Sequence, residues 1–316
     1  MKGFVWNIKT EEEFRKAMRK EYYSTTHYND ITQKYSVEDS FNVKVTYLSD
    51  YEKELTDTAI KNKRTILTPE DVDYYINDYG TRGDWSIENC RPGHINIAVI
   101  GCSFTFGVGI PELKTWSAQV QQTLPANKHI NLINLGFPGS GISKSLKLFK
   151  YITDICKIDI AIFLLPTHWR EEYAHFCELN DGTVLYANLI PNFSTAHTED
   201  IWRDYYKYST EATRLYDTIR YINYIELIAK VQKVETYYSS WDQDLLTAIR
   251  PHIEKVQELP YFKFVEQMLG PHLADKFARD GMHPGLATQD LFAGEVVNHL
   301  VSASNVKGIL RKPKLI

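Results

Sequence analysis

Ser103, Asp280 and His283 are residue types that together could perform acyl transfer: a hydroxyl nucleophile, an imidazole base and a carboxylate to orient that base. Asp280 and His283 stand three residues apart in Ala278-Arg-Asp-Gly-Met-His-Pro-Gly285. In a turn, that offset lets the carboxylate hold one imidazole nitrogen while the other faces a hydroxyl. Ser103 follows a β-branched run, Ile95 to Ile100, that ends abruptly at Gly101. Ligands of parallel α/β sheets bind at the carboxyl ends of strands, where the unpaired N–H groups opening the next helix can stabilise an oxyanion. A second loop, Asn134-x-Gly136-x-x-Gly139-x-Gly141, follows another apolar run. Its glycines let backbone donors approach a ligand without a Cβ in the way.

Each signal alone has a plainer reading. A serine after Gly-Cys commonly caps a helix, glycine loops commonly make turns, and an Asp-x-x-His pair commonly sits in a surface turn. Their joint appearance at predicted strand ends is what points to a hydrolytic site. Other chemistries fail on spacing. No lysine follows Gly107 as a Walker A loop requires, and the order of Gly136, Gly139 and Gly141 reverses the dinucleotide pattern. Thr105 stands where an α/β-hydrolase elbow needs glycine, and no H-E-x-x-H occurs. His168 and His175 read as surface or pocket residues, so no metal and no organic cofactor is expected.

Strands alternating with helices must position these residues. Predicted strands are 95–100, 130–135, 158–165 and 234–241, and predicted helices are 115–124, 143–156 and 287–301. That alternation predicts an α/β fold with a parallel sheet. Residues 1–90 read as a separate α+β extension. Thr10 to Glu13 forms a capping box opening a helix through Tyr22, a strand spans 41–47, a helix spans 49–63, and Pro69 opens another helix. The turn-rich stretch Asn77 to Asp84 reads either as a linker wrapped over the second lobe or as a loop presenting Arg82 to a substrate. Residues 166–233 form an insertion with an added strand at 183–190 and a surface loop at 192–200. A tyrosine-rich helical segment follows, carrying Tyr205, Tyr206, Tyr208, Tyr216, Tyr221 and Tyr224, an aromatic stripe expected chiefly as core. Residues 303–316 are a short basic tail.

The bulk numbers agree with a globular enzyme. The 316 residues are 43% hydrophobic and 24% charged, which excludes a disordered chain. A net charge of −4 supplies no global field for nucleic acid. The longest apolar run, Ile158 to Pro166, is far short of the ~20 residues that span a bilayer. Cys90, Cys102, Cys156 and Cys177 show neither C-x-x-C spacing nor framework density, and the start lacks a signal-peptide core. A cytoplasmic protein without a nucleic-acid or membrane partner is expected.

Residues 95–302 resemble the SGNH, or GDSL-like, hydrolase superfamily of esterases and acyl-carbohydrate deacetylases. Gly101-Cys-Ser-Phe104 resembles the Gly-Asp-Ser block, Asn134 to Gly139 the second block, and Asp280-Gly-Met-His283-Pro the fifth. The resemblance implies a doubly wound, mainly parallel five-stranded sheet of the flavodoxin-like, three-layer α/β kind. It also implies Ser103, His283 and Asp280 as a triad, with the N–H groups of Ser103 and Gly139 in the oxyanion hole. The family's Gly-x-Asn-Asp block, whose asparagine is a further oxyanion donor, is replaced by Leu165-Pro-Thr-His-Trp-Arg170. Thr167 and His168 fall nearest that asparagine, and Trp169 beside them is a candidate substrate contact. Asn77-Asp-Tyr-Gly-Thr-Arg82-Gly83 is similar to a stretch of members acting on sugar esters. It tilts the expected substrate toward an acylated carbohydrate and makes Arg82 a second substrate-contact candidate. Two alternatives remain open: a hydrolase-shaped binding or assembly module that uses residues 1–90 for docking to an unidentified partner, and acyl transfer to a sugar.

Overall fold

The computed structural model describes residues 8–23, 41–91, 93–124, 129–170, 209–252, 257–258 and 276–303, and the backbone of 173–178 and 184–189. Tyr205, Tyr206, Tyr208, the 192–200 loop and residues 304–316 lie outside the described residues.

The chain begins with α1 (Glu11–Tyr23), opened by the predicted capping box: Glu13 N donates to Thr10 Oγ1 at 3.2 Å and Thr10 N returns to Glu13 Oε2 at 3.2 Å. β1 (Val43–Val45), α2 (Asp50–Lys61) and β2 (Tyr74–Ile76) follow, and β1 pairs antiparallel with β2. The helix predicted to open at Pro69 is a single 3-10 turn, Pro69–Asp71. Val72, Tyr74 and Ile76 are fully buried, and burying those alternating side chains favours the extended chain over a helix.

The central sheet is parallel. β3 (Ile95–Gly101) lies between β4 (Ile130–Gly136) and β5 (Ile160–Leu165), and β8 (Glu235–Ser240) pairs with β5 on its far side. A two-residue strand, β9 (Gln257–Glu258), pairs parallel with β8 at the edge. β6 (Tyr173–Glu178) and β7 (Val184–Leu189) form a separate antiparallel pair in the insertion.

The period-2 geometry of β3 divides the core into two halves. Ala98 and Ile100 face α5 (Ile142–Ile155) and α6 (Glu211–Gln232), while Ile97 and Val99 face α4 (Trp116–Thr123) and α8 (Leu286–Ala303). Helices thus cover both faces, and every residue of β3 is buried. Phe14, Tyr74, Tyr79 and Trp85 join the same apolar cluster as Ala98, Ile100 and Phe149, so the described residues before 90 contribute to the core of the sheet domain. On α6, Ile222, Ile225 and Ala229 are buried, but Tyr216 and Tyr224 are 66% and 50% exposed. The aromatic stripe is therefore not core at those two positions; the narrower aliphatic side chains pack inward, and the phenol oxygens remain free to meet water. Among the described residues, no helix is long and apolar enough to cross a membrane.

Candidate active site

β3 ends at Gly101, Cys102 is extended, and the one-turn helix α3 (Ser103–Phe106) begins at once. Gly107 ends it at φ 81°, and the N–H groups of Gly107 and Val108 both donate to the Ser103 carbonyl, at 2.9 and 3.1 Å. This packing is tight: a Cβ on Gly136, at the end of neighbouring β4, would collide with the backbone of Thr105 and Phe106. Asn134 secures the same crossing, its side-chain N–H donating to the Thr105 carbonyl at 3.0 Å and its oxygen accepting from Gly136 N at 2.9 Å. It is thus a brace for the helix that opens with Ser103.

The loop after β4 folds back over the end of β3. Phe137 N and Ser140 Oγ both donate to the Gly101 carbonyl, at 2.9 and 3.0 Å, and Gly139 turns between them at φ 78°. Among the described residues, the amides of Ser103 and Gly139 donate to no other protein group.

The C-terminal turn is built around Asp280. Its Oδ1 accepts from the main-chain N–H groups of Met282 and His283, both at 3.0 Å, and its Oδ2 lies 2.5 Å from His283 Nδ1. Ala278 N closes the turn onto the His283 carbonyl at 2.8 Å. With Asp280 ionised, Nδ1–H is the donor, and in the neutral imidazole Nε2 is then the acceptor. Asp280 is 2% exposed, whereas the His283 side chain is 23% exposed and reaches the surface. Burial pushes the Asp280 carboxyl up, but the charge and hydrogen bonds of His283, joined by the Met282 N–H, pull it down, and the balance lies below the ordinary value of 3.8. A carboxyl lowered on folding stabilises the native state above its unfolded pKa, and that contribution is lost as pH falls through the folded value. Denaturant unfolding measured from about pH 5 to about pH 2 should therefore show wild type losing more stability than Asp280→Asn.

Two contacts bring this turn to the serine loop. The His283 ring meets the ring of Phe104, the residue after Ser103, edge-on at 5.7 Å, and Arg279 N donates to the Gly109 carbonyl at 2.9 Å. A Cβ on Gly109, which has φ 71°, would stand 2.9 Å from Arg279 N, so the approach requires glycine there. Ser103 is 4% exposed, and among the described residues its hydroxyl makes no hydrogen bond to His283.

The far wall comes from the ends of β5 and β8. Thr167 and His168 are 9% and 6% exposed, and the His168 ring lies between Asp242 and Glu211, at 3.7 and 3.8 Å. Burial raises the Asp242 carboxyl, but the neighbouring His168 and Thr167 side chains and the hydrogen bond from Leu245 N hold it below its ordinary value. Trp241 is 5.3 Å from Phe104 ring to ring, the Arg170 guanidinium lies 5.6 Å over Trp241, and Arg214 covers Trp169 at 4.1 Å. Sequence reasoning missed Asp242 and Trp241. The available signal was their place at the end of the fourth predicted strand, where Asp242 also caps α7 (Gln243–Ile249) by accepting from Leu245 N at 3.1 Å.

Arg82 departs from expectation. It is fully buried and donates to the carbonyls of Phe106, Gly107 and Ile110 at 3.2, 2.5 and 2.7 Å, and to Glu112 at 2.5 Å. Its guanidinium is engaged by the loop beyond Ser103, whose carbonyls and Glu112 take up the donors that burial removes from water. Residues 77–84 are likewise an internal brace, with Asn77 Oδ1 accepting from Tyr79 N and Thr81 N. Among the described residues, no group of three or more His, Cys, Asp or Glu side chains could hold a metal ion.

No family model and no curated protein matches the chain. Solved structures similar to it include esterases, a lipase/acylhydrolase and a protein named TesA. TesA is 14% identical, with 65% of this chain and 97% of that one covered at a TM-score of 0.43. The psychrotrophic esterase EstA from Pseudoalteromonas sp., inhibited by monoethylphosphonate, is 13% identical over 65% and 96% of the two chains at 0.42. The acetyl xylan esterase AlAXEase is 14% identical over 65% and 98% at 0.39. With such scores, the functional reading rests on the chain's own geometry.

Proposed function

We propose that the protein is a serine ester hydrolase of the SGNH type, acting on an acyl ester through a Ser103-His283-Asp280 triad. The observation that carries this reading is the Asp280-His283 pair, held by its own turn and docked on the residue next to Ser103 at the carboxyl end of β3. In the reaction, His283 Nε2 takes the Ser103 proton as Oγ attacks the ester carbonyl, and Asp280 stabilises the imidazolium. The N–H groups of Ser103 and Gly139 receive the developing oxyanion. His283 returns the proton to the departing alcohol, then activates water to release the acid and free the serine.

An O-acylated carbohydrate is the proposed substrate. Trp241 and Trp169 are partly exposed, each with one face taken by an arginine; their remaining surface offers apolar contact to a sugar, and Arg170 offers donors to its hydroxyls. Labelling with a fluorophosphonate probe tests the proposal: modification is expected at Ser103, and an unlabelled Ser103 in folded protein would reject an activated serine.

Replacement of the usual asparagine donor by Thr167-His168 favours a second reading, a binding module without turnover. The two readings differ at those residues. For an active enzyme, removing the side chain that serves as third donor, by Thr167→Ala or His168→Ala, should lower kcat on the order of 100-fold to 1000-fold. Steady-state kinetics in which neither substitution changes kcat would leave both outside the oxyanion hole.

A further inference from the structure

At the end of the sheet opposite Ser103, the close of the N-terminal portion meets the close of α5. Cys90 follows a 3-10 turn at Ile87–Asn89 and is partly exposed, whereas Cys156 caps α5 and is 5% exposed. A chain of hydrogen bonds joins their surroundings across the first residues of β3 and β4. Asn131 Nδ2 donates to Cys90 Sγ at 3.4 Å and to Asn96 Oδ1 at 3.3 Å, and Asn96 Nδ2 donates to the carbonyl of Lys157, next to Cys156, at 2.8 Å. Cys156 belongs to the apolar cluster against which Cys90 packs, and the two thiols are close enough to influence each other's ionisation. The ester chemistry uses neither residue.

We infer that Cys90 and Cys156 form a redox modification site, converted reversibly to a disulfide by a hydroperoxide. The two thiols are unlike. The neighbouring Cys156 thiol, aided by Asn131, outweighs burial and holds the Cys90 thiol below its ordinary range, while Cys90 and burial push Cys156 up. Cys90, the more exposed, is therefore the attacking sulfur and Cys156 the resolving one. The Cys90 thiolate attacks a peroxide oxygen; the O–O bond breaks, the other oxygen leaves as alcohol or water, and Cys90 becomes a sulfenic acid. Cys156 then attacks the Cys90 sulfur, the S–O bond breaks, and water departs with the Cys156 proton. Two thiols lose two electrons and two protons, and the peroxide gains them. The product ties the segment carrying Glu52, Tyr74 and Arg82 to α5.

The experiment treats the full chain with hydrogen peroxide, alkylates it under denaturing conditions with N-ethylmaleimide, and maps its peptides by mass. The expected result is a Cys90–Cys156 linked peptide with two alkylations lost, restored by dithiothreitol, and in Cys156→Ser a dimedone adduct at Cys90. Full alkylation of both residues at peroxide levels that already oxidise Cys102 or Cys177 would overturn the inference. So would disulfides that join Cys90 to another molecule in preference to Cys156.

Discussion

Ser103→Ala is expected to lower acyl-ester hydrolysis on the order of 10⁴- to 10⁶-fold while the protein keeps its fold. The substitution removes one oxygen that, among the described residues, makes no structural bond. The helix it opens is held by backbone, with Phe106 N on the Cys102 carbonyl and Gly107 N on the Ser103 carbonyl, both at 2.9 Å. Residual activity would come from the oxyanion donors and from binding alone. Release of p-nitrophenol or acetate, measured beside a thermal melt, checks both halves of the expectation. Because nucleophile and base act as a unit, adding His283→Ala should cost little more. A Ser103→Ala rate equal to wild type would remove this residue from the mechanism.

The second large effect concerns folding. Arg279, one residue before Asp280, is fully buried and pairs with the buried Glu52 carboxylate at 2.6 Å. It also donates to the carbonyls of Val72 and Thr46, at 2.8 and 2.5 Å. Glu52 in turn accepts from Leu48 N at 2.8 Å and from Tyr74 OH at 2.6 Å, and that phenol oxygen accepts from Gly109 N at 2.7 Å. One network thus fixes the turn bearing Asp280 and His283 and the loop beyond Ser103. Arg279→Met should destabilise the protein by about 3–5 kcal/mol, because it strands a buried carboxylate and several carbonyls. Denaturant unfolding measures the loss. Adding Glu52→Gln should recover part of it, since the uncompensated charge is then gone. A single variant as stable as wild type would mean that the ion pair contributes nothing beyond an apolar replacement. At denaturant-free concentrations where Arg279→Met remains folded, kcat should still fall, because Asp280 and His283 lose their anchor.

Arg82 works on the other half of the site in the same manner. Three loop carbonyls within Phe106 to Ile110 converge on its guanidinium, which locks the segment leaving α3. Residues 41–91 therefore supply Glu52, Tyr74 and Arg82 as positioning groups for a site whose reacting groups lie elsewhere in the chain. The proposed activity depends on that segment even though none of its residues is placed at the reacting atoms.

What the sequence determined by itself is local. Short runs rich in β-branched and aromatic residues marked β3, β4, β5 and β8 nearly to their ends, because a strand covered on both faces favours such residues at successive positions. Asp280 and His283 were legible as a pair because three residues of turn suffice to join them, and the capping box at Thr10 because its partners are equally near. What only the tertiary structure decided is everything that depends on distant partners. Arg279 and Glu52 are 227 residues apart, and nothing in either neighbourhood reveals the other. Arg82 is a substrate-contact candidate in sequence through the resemblance of residues 77–83 to sugar-ester enzymes, beside the reading of a wrapped linker; its burial follows from carbonyls 24 to 28 residues away that converge on it. The Pro69 stretch and the tyrosines of α6 differed for the same reason: helical spacing limits which residues share a face, but packing selects which face turns inward.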